Sequence, residues 1–112
     1  DQMFYQNEEA ASILAVLSSA FVDMYRVRTA MQSGKPVASL AAVFPGEYKG
    51  REFRLRNAER DVKRLSTEQL RGILSQLLAT DLALKSSKAS DQMLLEKLIA
   101  QIMVLTAKGS RN

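Results

Sequence analysis

The chain has 112 residues and a net charge of +4; it is 46% hydrophobic and 25% charged. That is enough for one domain with its own core, and too apolar for a disordered chain. It has no cysteine and no histidine. Disulfides, thiolate chemistry, zinc sites built on those residues and His-based triads are therefore excluded. No apolar run approaches the roughly 20 residues of a membrane span, and serines interrupt the richest stretch, 10–22. The opening Asp1-Gln2-Met3 has no signal-peptide pattern and predicts a piece of something longer.

The spacing predicts a first long helix from Asn7 to Met31. Ile13, Leu17, Phe21, Met24, Val27 and Met31 fall three or four residues apart, which puts them on one face. Asn7 is the expected cap, with Glu8 and Glu9 in the first turn, and Gly34 and Pro36 are the expected stop. Pro36 opens a short second helix with Val37, Leu40, Ala41 and Phe44 inward, and the segment from Pro45 to Gly50 reads as a loop. A third helix is expected over about Arg51 to Arg64, on a narrow stripe of Leu55, Ala58, Val62 and Leu65. Ser66 and Gln69 fit a capping box opening a fourth helix to about Lys85. A fifth runs from Ser90 or Asp91 to Ala107, with Leu94, Leu95, Leu98, Ile99, Ile102 and Leu105 inward and Gly109 past its end. No segment alternates with period two, so the expected fold is all-α: a compact bundle of about five helices in a single domain spanning 1–112.

Charge concentrates on the third helix. From Lys49 to Arg64 there are seven basic residues and three acids, an excess equal to the net charge of the whole chain. Arg51, Arg54, Arg56, Arg60, Lys63 and Arg64 are therefore candidate contacts to a partner protein or to nucleic acid, since the planar arginine fork suits carboxylates and phosphates alike. The plain alternative is a solvated helix face.

Asp81 stands among Leu70, Leu74, Leu77 and Leu84 on a helical wheel, and an acid in an apolar stripe needs a partner. Lys85 follows at i+4 in the favourable order, so Asp81 and Lys85 are expected to form a structural ion pair at the margin of the core. Truncating Asp81 there would cost about 1–3 kcal/mol. Catalysis has no set of residues to carry it, and neither GxxxxGK[ST] nor GxGxxG occurs, so no cofactor or metal is expected. Met3, Met24, Met31, Met93 and Met103 read as core filler or contact surface, and Tyr25 as a packed aromatic.

These residues together resemble a known family. The run Gly50 to Ser66, then Glu68-Gln69-Leu70, Thr80 to Ser86 and Leu94 to Ile99, is similar to the C-terminal domain of the bacterial DNA polymerase III delta subunit. Upstream, Phe21 to Arg28 and Gly34-Lys35-Pro36 resemble that family's first long helix and the turn after it. Many members carry a His-Pro-aromatic step before the basic helix, which is absent here, and Thr80 replaces a commoner alanine. The resemblance implies a helical collar domain of the clamp loader, the ATP-driven assembly that places the ring-shaped sliding clamp on primed DNA during replication. It implies packing against the other loader subunits, a cytoplasmic location, and no ATP site, membrane contact or small-molecule substrate of its own. A nucleic-acid-binding helical domain using the basic helix 51–64 is the alternative.

Overall fold

The computed structural model describes the backbone of residues 2–86 and 88–109, and side-chain surroundings for 8–86 and 88–107. Among the described residues all regular structure is helical. Helix α1 covers Gln2–Gln32, with no glycine or proline to interrupt it. Asn7 lies inside this helix and does not begin it, and its side chain lies outside the described residues. The buried face is Ala10, Leu14, Met24, Val27 and Ala30, with Leu17 and Phe21 packed against it. Ile13 and Met31, expected inward, are 42% and 40% exposed. The helix is apolar on more than one side, so periodicity alone could not choose the face; its neighbours do.

Gly34 ends the helix with φ +72°. The Gly34 N–H donates to Met31 O and the Lys35 N–H to Ala30 O, the paired bonds of a Schellman motif that only glycine reaches without strain. Pro36 is extended (ψ 139°) and sits one residue before a 3₁₀ turn, Val37–Ser39, which continues into α2, Leu40–Val43. Leu40 is buried, and Val37, Ala41 and Phe44 pack on the core as expected.

The stretch 45–50 is not the expected loop. Phe44 breaks the helix (φ −124°, ψ 65°), and α3, Pro45–Tyr48, follows at once. Proline's fixed φ and missing N–H suit a first helical position as well as a turn, so Pro45-Gly46 opens a turn of helix that carries Tyr48 fully into the core. Gly50, at φ +80°, redirects the chain.

Helix α4, Phe53–Asp61, tightens into a 3₁₀ turn at Val62–Arg64. Its stripe of Leu55, Ala58, Val62 and Leu65 is buried throughout. The capping box forms: the Gln69 N–H donates to Ser66 Oγ at 3.1 Å, and the Ser66 N–H donates to Gln69 Oε1 at 2.7 Å. It opens α5, Thr67–Ser86, whose buried face is Leu70, Ile73, Leu77 and Thr80. Helix α6, Asp91–Gly109, is capped by Ser90, whose Oγ accepts from the Met93 N–H at 3.1 Å. Leu98 is buried and Ile102 and Leu105 pack on the core, whereas Ile99 is 47% exposed. Gly109 belongs to the helix and does not follow it.

The long helices α1, α5 and α6 run up, down and up. Asp81 shares a hollow with Leu14, Arg71 reaches Tyr25, and Gln69 Nε2 donates to Leu105 O at 2.8 Å. Both α4 and the 3₁₀ turn after it pack on α1. The result is a slab of 47 × 36 × 18 Å. Against the expectation from run length, Glu8–Gln32 is long and apolar enough to cross a membrane by length and hydropathy. Here it is the central helix, contacted by α4, α5 and α6, and it carries a buried aspartate.

Candidate functional site

The strongest polar cluster lies where α3 and α4 meet α1. Asp23, on α1, is 4% exposed. Arg54, one helix away, clasps it with both arms: Nε donates to Oδ2 at 3.0 Å and Nη2 to Oδ1 at 2.9 Å. The Tyr48 hydroxyl donates to Oδ1 at 2.6 Å. Arg26 Nη1 donates to the Tyr48 hydroxyl at 3.0 Å and to Glu47 Oε2 at 2.8 Å. Arg54 also donates to Ser19 Oγ at 2.8 Å and Glu47 O at 3.2 Å. The guanidinium of Arg26 lies 3.9 Å from the centre of the Phe44 ring, and that of Arg54 lies 5.1 Å from the Tyr48 ring, both within cation–π range.

A buried carboxylate is tolerable because its oxygens are met by charge-assisted donors. Burial, with Asp23 as hydrogen-bond partner, pushes the Tyr48 phenol above its usual range, against the opposing pull of Arg26. The cluster is a buttress that locks α3 and α4 to α1.

Arg54 is thus a weaker candidate contact, because four of its five N–H donors are engaged inside the fold. Nothing local marks it out from Arg51 or Arg56; its partner is 31 residues away. Asp23, Arg26, Glu47 and Tyr48 went unnoticed as a cluster for the same reason, although an acid among the apolar residues of α1 was a visible oddity. Arg51, Arg56, Lys63 and Arg64 are exposed, and among the described residues their side chains have no ion pair. Arg60 pairs with neighbouring Asp61 at 2.9 Å on the open surface. A further arginine, Arg28, pins the end of α4 by donating to Val62 O at 2.9 Å and to Leu65 O.

Lys85 Nζ lies 3.1 Å from Asp81 Oδ2. The expected pair forms; the Lys85 side chain is 71% exposed and that of Asp81 43%, so the pair is open to solvent. The buried face of α5 is turned toward Ile73 and Thr80, which moves Asp81 to its edge. Among the described residues no group of three acidic side chains could hold a metal ion.

Large apolar side chains are instead prominent outside. Val16, Leu78, Leu82, Met93, Met103 and Val104 are each more than half exposed. Helix α6 is thus apolar both toward the core and away from it, a pattern that fits a helix between two layers. Of the methionines, Met24 is core; Met31, Met93 and Met103 are surface, and the side chain of Met3 lies outside the described residues.

Fold and surface together define an all-α module that is internally buttressed and externally sticky. The family model "DNA polymerase III delta subunit, C-terminal domain" matches residues 1–102, and the chain belongs to that family. It is 32% identical over 115 residues to the protein named DNA polymerase III subunit delta of Bacillus subtilis (strain 168). The alignment covers 96% of this chain and 31% of that relative, so the chain spans about a third of its length. No solved structure matches.

Proposed function

We propose that residues 1–112 are the collar domain of a clamp-loader delta subunit, which holds that subunit among its neighbours while the sliding clamp is placed on primed DNA. The family match over 1–102 carries this reading. Exposed Ile99, Met103 and Val104, on successive turns of α6, support it, because scattered single residues need no partner but a contiguous apolar patch does. In this reading the domain works in the cytoplasm by being gripped, performs no chemistry, and takes no cofactor, metal or small-molecule substrate. The Asp81–Lys85 pair contributes only to the surface of α5.

The test is assembly. The full-length subunit should co-elute with the remaining loader subunits, and a form lacking this domain should not. Unchanged co-elution without the domain would refute the reading.

A second reading has one observation in its favour. Arg51, Arg56, Lys63 and Arg64 are exposed, and among the described residues none of them is within ion-pair distance of a carboxylate. Direct contact with DNA through them would weaken steeply with salt, by roughly one unit of log–log slope per neutralised phosphate. Titration of labelled primed DNA at two salt concentrations checks this, and no binding at physiological salt removes it.

A further inference from the structure

A groove runs along the first helix between α4 and α6. Its first part, about 410 Å³, lies between α1 and α4, with Val16, Ala20 and Met24 on the floor. Met24 and Asp61 also line a second part, about 1070 Å³, that reaches Met103 on α6. Further along the same side, sharing no lining residue with these two, a hollow of about 310 Å³ lies beside α6 from Ile99, one turn before Met103, to Asp91, with Ile13, one turn before Val16, on the α1 side. From Ile13 to Met24 the floor is about 16 Å long, or three helical turns.

The two ends carry opposite charge. At one end the lining acids are Glu9, Asp91 and Glu96, with no base among the lining residues. At the other the lining bases are Arg60, Lys63 and Arg64, beside one acid, Asp61, which pairs with Arg60 and also feels the charge of Arg64. An apolar floor three turns long suits the apolar stripe of a helix, as in helix-in-groove recognition. A phosphate backbone does not suit it, because Glu9, Asp91 and Glu96 would repel it at one end and Asp23 and Asp61 line the middle. A second copy of this domain would set groove against groove and fill neither.

We propose that this groove receives one amphipathic helix from another loader subunit, with basic residues in its first turn and acidic residues in its last. The basic turn lies against Glu9, Asp91 and Glu96, and the acidic turn against Lys63 and Arg64. The helix dipole has the same sense, its positive end at the acids. The inference rests on the assembly reading above and adds the face, the partner's chemistry and its direction.

The test uses the full-length subunit and the purified remaining loader subunits. Val16 is 71% exposed, so Val16→Arg should fold, as far-UV circular dichroism would verify, yet it fills the floor with a charge. It should weaken association by about tenfold or more, as loss of a central anchor does. Val43→Arg, on α2 and 64% exposed but outside the groove, should leave association within about twofold. The double variant Lys63→Glu, Arg64→Glu should weaken it at low salt, and the deficit should shrink as salt rises. Wild-type association by Val16→Arg, when removal of residues 1–112 abolishes it, would overturn the groove and leave the assembly reading standing. Association that survives removal of the domain would sink both. Self-association of the subunit, lost in Val16→Arg, would identify a second copy as the occupant and also overturn the proposal.

Discussion

Removing Asp23 tests the buttress most directly. Asp23→Ala deletes the acceptor of three hydrogen bonds, two from Arg54 and one from Tyr48. Removing one partner of a buried ion pair costs about 3–5 kcal/mol, because the other charge is left stranded. Here the Arg54 side chain is 20% exposed and keeps Ser19 Oγ and Glu47 O as acceptors. Tyr48 is fully buried, but its hydroxyl keeps the Arg26 contact. The loss should therefore sit at the lower end, about 3 kcal/mol. With a urea slope of about 1–1.5 kcal/mol/M for a chain of this size, the unfolding midpoint should fall by about 2–3 M. Urea titration of the 112-residue chain, followed by circular dichroism at 222 nm, measures this. Arg54→Met on the Asp23→Ala background should cost far less than Arg54→Met alone, since the charge it would strand is gone. A loss below about 1 kcal/mol for Asp23→Ala, or additive effects of the two substitutions, would refute the buttress.

Three further outcomes are expected. The Tyr48 phenol is held above its usual range in the fold, so the unfolded chain ionises first; stability is fully present below about pH 10 and declines as pH rises beyond it. Tyr48→Phe should remove that part of the alkaline decline, and identical pH profiles for the two proteins would contradict it. In Gly72→Ala the new Cβ meets Leu105 at 3.4 Å, ordinary contact, so the gain in helix propensity should raise stability by up to about 1 kcal/mol in thermal melts. Asp81→Ala should change stability by no more than about 0.5 kcal/mol in urea titration, because the pair is exposed; a cost of 1–3 kcal/mol would return it to the core margin.

How much the sequence disclosed varies by element. Helix α4 was legible because only one face is apolar: Leu55, Ala58, Val62 and Leu65 stand among charges, and all four are buried. The Ser66–Gln69 box was legible because both bonds are local. The register of α1 was not, since Ile13 and Val16 are as apolar as Leu14 and Leu17, and only tertiary contacts decide which are covered. Arg54 and Asp23 were hidden in different ways, the one among like charges and the other in an apolar run, and their meeting depends on how α4 lies on α1. Leu70 and Leu77 are buried as the wheel suggests and Leu74 packs on the core, but Ile73 and Thr80 are buried too, which turns Asp81 toward the edge of the inner side of α5.

One consequence of the unbroken α1 concerns motion. Thirty-one residues of helix make a rod of about 46 Å, comparable with the longest dimension of the molecule. Its later half is clamped by Arg54, Arg26 and Arg28 to the elements that follow. From Asp23 the rod extends about 32 Å to Gln2, so a 5° tilt at the clamp moves that end by about 3 Å. Small strains in the clamp would thus arrive at the opposite edge as displacements large enough to make or break a packing contact.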